Sequence, residues 1–189
     1  MSHTTVSVTE TVDPTAIVLV GAPASGKTTI RDLFADHGAI GCDLLTGSDS
    51  DEDFVADDWE QRVTEALAGA AEKRPHVACI EGATSEAHIN AIAVKSDQTL
   101  VVRVLVPNRE QRLSRYHQRE VDNGAVVSGE DVVKTETNAL YRESKERPYP
   151  EHDVTIVNDD NTSTAEISNR CGTIVSLLSS VECAGIQKE

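Results

Sequence analysis

Lys27 and Thr28 follow two glycines at a spacing that suits phosphate chemistry. The stretch Gly21-Ala22-Pro23-Ala24-Ser25-Gly26-Lys27-Thr28 fits G-x-x-x-x-G-K-[ST]. Such a loop wraps a polyphosphate with backbone N–H groups, and Gly21 and Gly26 permit the close approach and unusual φ/ψ this needs. A helix starting after the loop adds unpaired N–H donors and partial positive charge. Lys27 would reach the β- and γ-phosphates, and the Thr28 hydroxyl would ligate Mg²⁺. The expected nucleotide-binding segment therefore runs from Gly21 to Thr29, with ATP or another nucleoside triphosphate and Mg²⁺ as cofactors.

Two acids and a row of arginines extend this chemistry. Glu81 ends the apolar run His76-Val77-Ala78-Cys79-Ile80. An acid at the end of a strand beside the phosphate loop holds Mg²⁺ directly or through water. Asp43 ends a weaker apolar run and would orient or deprotonate an acceptor hydroxyl. Arg112, Arg115 and Arg119 recur at helical spacing after Pro107. At 100° per residue they fall within about 60° of each other. Arginine clamps stabilise the charge that gathers on a transferred phosphoryl group. Arg115 and Arg119 are thus candidate catalytic groups beside Lys27 and Asp43. The bland alternatives are surface ion pairing for the arginines, a turn or cap for Asp43 and a solvent-facing strand end for Glu81.

The elements that must position these residues alternate in type. Residues 16–20 read as a buried strand, and a helix follows from Thr28 to His37. Residues 39–42 make a weak second strand. A helix is expected from Ala56 to Lys73, then a third strand at 76–82 and a helix from Ser85 to Ala93. The fourth strand covers Thr99 to Val106. Asn108 opens a helix to Val121 in the manner of a capping box, and Ser128 to Asp131 opens another to Lys145. A fifth strand lies at 153–157, and Ser163 with Glu166 caps the last helix. Such alternation predicts an α/β fold, a parallel sheet with helices on both faces. Ligands in these sheets bind at the C-terminal strand ends, where Gly21, Asp43, Glu81, Pro107 and Asn158 fall.

Composition narrows the class. The chain has 189 residues, 32 acidic against 17 basic, and a formal charge of −15. Such acidity favours solubility, is used by halophilic proteins, and disfavours nucleic acid as a partner. A cytoplasm with molar salt is the expected setting. Residues 47–58 hold an acidic run without the spacing of an EF-hand, which reads as solvated loop. Cys42, Cys79, Cys171 and Cys183 have no C-x-x-C spacing. No apolar stretch is long enough to span a bilayer, and no signal peptide is apparent. Residues 1–14 read as a loose tail, 15–182 as one domain, and 183–189 as a frayed end.

The short G-x-P-x-S-G-K-T loop, the pair Glu81-Gly82 and the stretch Val106-Pro107-Asn108-Arg109-Glu110-Gln111-Arg112-Leu113-Ser114-Arg115 resemble the P-loop nucleotide-kinase superfamily. Adenylate-kinase-like and dephospho-CoA-kinase-like proteins belong to it. The stretch Asp153-Val154-Thr155-Ile156-Val157-Asn158-Asp159 is similar to their last strand and adenine-side loop. The resemblance implies a three-layer fold, strand order 2-3-1-4-5, a lid over about 108–147 bearing Arg115 and Arg119, and Asn158 near adenine. It also implies a kinase moving the ATP γ-phosphoryl group to a small acceptor, such as a nucleotide or a dephospho-CoA-like molecule. Glu81 departs from the family, which commonly has Asp there. An ATPase or GTPase switch with a macromolecular partner, or a non-catalytic nucleotide binder, are the alternatives. The acceptor and the oligomeric state stay open.

Overall fold

The computed structural model describes residues 13–45, 58–83, 85–122, 124, 128–130, 133 and 151–184. Most of the N-terminal tail, the acidic run at 47–57, most of the expected lid beyond Asp122, most of the helix expected at 128–145 and residues 185–189 lie outside them.

The strand before the phosphate loop is apolar at every position but its first because both of its faces are covered. This strand, β1 (Thr15–Val20), is buried along its whole length. Helix α1 (Lys27–Asp36) follows, then β2 (Ile40–Asp43), α2 (Trp59–Ala71), β3 (Val77–Glu81) and α3 (Glu86–Lys95). The chain continues with β4 (Gln98–Leu105), α4 (Arg109–Asp122), β5 (Val154–Val157) and a last helix, α5 (Thr164–Ala184). The five strands are parallel in the order β2-β3-β1-β4-β5, the expected order.

Alternation along β1 divides the core in two. Ala16, Val18 and Val20 pack with Val63, Leu67, Ile80 and Ile92 under α2 and α3. Ile17 and Leu19 pack with Ile30, Phe34, Ile156, Ile167 and Cys171 under α1 and α5. Ile30 and Phe34 are fully buried, contributing about 1.5–3 kcal/mol each, and fix α1 across the sheet. The P-loop is thereby anchored at both ends by core contacts.

Caps agree with the sequence. Ser85 Oγ accepts the His88 N–H, Asn108 Oδ1 accepts those of Glu110 and Gln111, and Ser163 Oγ accepts that of Glu166. Boundaries differ by a few residues. Helix α2 starts at Trp59, with Ala56 outside the described residues, and α3 runs two residues past Ala93. Pro14, just before β1, is buried, and its carbonyl accepts the Asp97 N–H at 3.1 Å. Helix α5 continues to Ala184.

Candidate active site

The loop between β1 and α1 has the backbone its residue types suggested. Gly26 caps α1 with φ of 91°, and Gly21 has φ of 153°. A side chain at Gly21 would meet the Val104 carbonyl at 2.5 Å, and one at Gly26 would collide with the Asn158 amide. Ala24 is left-handed too, with φ of 57°, a conformation that costs a non-glycine residue energy and clusters at ligand sites. Ser25 is 1% exposed, and its hydroxyl has no hydrogen-bond partner among the described residues. Lys27 Nζ folds over the loop and donates to the Gly21 and Ala22 carbonyls at 2.8 and 3.1 Å. Thr29 is exposed in the first turn of α1.

Glu81 arrives from β3. Its side chain is 5% exposed, and Oε1 accepts from the Thr28 hydroxyl at 3.0 Å. Among the described residues no group of three or more His, Cys, Asp or Glu forms an all-protein metal cage. Mg²⁺ at a nucleotide needs none, because it keeps waters and takes phosphate oxygens beside one or two protein ligands. The hard oxygens of Thr28 and Glu81 fit that role.

Arg31 is the residue the sequence reading missed. It lies on α1 four residues after Lys27 and three after Thr28, so all three share a face. That spacing was the available signal. Arg31 Nη1 donates to Glu81 Oε1 at 2.9 Å and stands 3.5 Å from Asp43 Oδ2, while Nε and Nη2 reach Asp32. Asp43 and Glu81 are register partners on β2 and β3. One guanidinium thus holds two neighbouring carboxylates together. Asp43 Oδ1 also accepts the Leu45 N–H at 2.8 Å. Burial pushes the Glu81 carboxyl above its ordinary value, as does the Asp43 charge, with Arg31, Thr28 and Lys27 opposing. Burial works against the Arg31 charge, yet the Asp32 hydrogen bond and the Glu81 and Asp43 charges raise its pKa.

On the other side of the loop, Asn158 follows β5. Its Nδ2 donates to the Ser25 carbonyl at 2.8 Å. Arg115 of α4 donates to the Asn158 carbonyl and to Asp160 Oδ1, both at 3.0 Å. Arg119 lies further out, bonded to Glu120 and 4.9 Å from the Tyr116 ring centre. The structure therefore gathers Lys27, Thr28, Asp43, Glu81 and Asn158 around the loop. Arg115 stands one contact away, and Arg119 is directed elsewhere.

No protein-family model matches the sequence, and no curated protein matches it. Solved structures do resemble it. A gluconokinase from Sinorhizobium meliloti 1021 superposes with a TM-score of 0.54 at 16% identity, over 93% of this chain and 99% of that one. The chain shares the three-layer α/β P-loop fold of these structures. A sugar kinase from Janibacter sp. HTCC2649 gives 0.52 at 15% identity, over 89% of this chain and 98% of the other. A shikimate kinase from Bacteroides thetaiotaomicron gives 0.52 at 16%, over 87% and 98%. Among the described residues, no helix of this chain is long and apolar enough to cross a membrane.

Proposed function

We propose that the protein is a P-loop kinase that transfers the ATP γ-phosphoryl group to a hydroxyl of a small molecule. One observation carries this reading: a complete phosphate loop whose Thr28 hydroxyl is bonded to the strand-end acid Glu81. The loop N–H groups and Lys27 would hold the phosphates. Thr28 and Glu81 would hold Mg²⁺, which neutralises developing charge when bound. Asp43, partly exposed at the end of β2, would accept the acceptor hydroxyl's hydrogen bond and orient its oxygen.

Asn158 and Arg115 would shape the loop on the adenine side. Arg115 and Arg119 would turn toward the phosphates as α4 closes and excludes water, which otherwise competes as acceptor. The resemblance in fold to sugar, gluconate and shikimate kinases supports a small-molecule acceptor, and the acidity supports a salt-rich cytoplasm as setting.

The test is labelled ATP incubated with a panel of small hydroxyl compounds. Phosphate is expected on one class of acceptor, with slow hydrolysis in its absence. Phosphate released only to water, with turnover responding to a macromolecular partner, would favour a switch protein instead.

A further inference from the structure

We propose that the acceptor is an uncharged hydroxyl compound of the polyol, sugar or nucleoside class, and not a carboxylate or phosphate ester. The inference rests on the kinase reading and narrows its acceptor.

An acceptor must approach the γ-phosphoryl group where β2 and β3 end. The guanidinium groups bonded at that edge, among the described residues, belong to Arg31 and Arg62. Both are engaged by the protein's own oxygens. Arg31 bridges Glu81 and Asp43 and also binds Asp32. Arg62 Nε donates to Asp58 Oδ1 at 2.9 Å, and its Nη1 to the Asp43 carbonyl at 3.4 Å. Recognition of a carboxylate or phosphate uses a guanidinium fork aimed at the ligand. Here the Arg31 fork is aimed at acids of the fold, and Arg62 is held by the Asp58 carboxylate and the Asp43 carbonyl.

Charge points the same way. Asp32, Asp43, Asp58 and Glu81 face these two arginines. Positive charge from Lys27 is directed at the loop, where ATP phosphates would take it. A second anion at this edge meets like charge, which is how interfaces reject wrong partners. A neutral hydroxyl meets an acceptor oxygen of Asp43. In the step, the hydroxyl oxygen bonds to the γ-phosphorus as the bond to the β,γ-bridging oxygen breaks. ADP leaves with that electron pair, and the hydroxyl proton passes to Asp43.

Matched pairs test this with the full chain and MgATP: glucitol beside gluconate, shikimate methyl ester beside shikimate, and nucleosides beside their 5′-monophosphates. Transfer is read as labelled product confirmed by mass. The neutral member of the productive pair should have kcat/KM higher by about 100-fold or more. Asp43→Asn, which removes one repelling charge, should shrink that ratio by about tenfold whatever it does to the rate itself. An acid used as well as its neutral counterpart, or a ratio untouched in Asp43→Asn, overturns the inference and leaves the kinase reading standing. Transfer to no member of any pair overturns both.

Discussion

Asn158 Nδ2 donates to the Ser25 carbonyl at 2.8 Å, which ties the end of the last strand to the phosphate loop. The same amide occupies the space that a side chain at Gly26 would need. The loop's shape is therefore held from outside as well as by its own glycines. Asn158→Ala should cost about 0.5–1.5 kcal/mol of stability, the worth of one hydrogen bond, and weaken ATP binding. Gly26→Ala should cost more, because its left-handed backbone adds about 1–2 kcal/mol. Denaturant melts and nucleotide titrations of both variants check the order.

Lys27→Ala should abolish turnover while the fold persists, since its ammonium donates to carbonyls of the loop. Unchanged circular dichroism beside lost turnover is the expected pair of results. Retained turnover would remove the phosphate-site assignment.

Glu81 carries a pH signature. Its carboxyl is raised in the folded protein, chiefly by burial and then by Asp43. The folded state therefore holds the proton more tightly than the unfolded chain does. The stability this provides is complete below the unfolded value, about 4.3, and is lost as pH rises through the higher folded value. Glu81→Gln lacks this dependence. In ligand-free protein the wild type should thus gain on the variant as pH falls from 7 toward 4, read as the difference in melting midpoints. A difference that stays flat or moves the other way would contradict the burial-driven shift.

Arg115 and Arg119 should separate kinetically. Arg119→Ala should lower kcat with little change in KM for ATP, because Arg119 contacts Glu120 and Tyr116 and not the loop. Arg115→Ala should lower kcat by about 10²-fold, as for loss of one charge-stabilising donor, and also raise KM through Asn158. Wild-type kinetics in both variants would reduce α4 to a solvent-facing helix.

The formal charge of −15 should make folding depend on salt. Screening between 0.05 and 2 M KCl should raise the melting midpoint by about 4 °C or more, or ~1–2 kcal/mol for a domain of this size. Equal or greater stability at low salt would contradict the salt-rich setting.

Much of this architecture is legible in the sequence. The β1–loop–α1 unit announces itself because a strand buried on both faces is an unbroken apolar run and the loop needs fixed residue types. The neighbouring positions of Glu81 and Asp43 could be foreseen because strand ends on one edge of a parallel sheet converge. Arg31 was passed over because charge on a helix is usually a solvated face, and only the tertiary fold shows which carboxylates it meets. The contact of Asn158 with Ser25 joins residues 133 positions apart, beyond the reach of any local pattern. Arg115 was read as a phosphate clamp from its spacing, yet its present partners lie on the loop after β5.

The central place of β1 has a consequence for biosynthesis. Its two neighbours are β3 and β4, so it has both flanking partners only after residue 105 has been made. The amide that braces the phosphate loop comes later still, at residue 158. A nascent chain thus displays an intact phosphate-loop motif long before it can shape one. A chain stopped after Asp122 would carry every residue of that motif and still lack the brace.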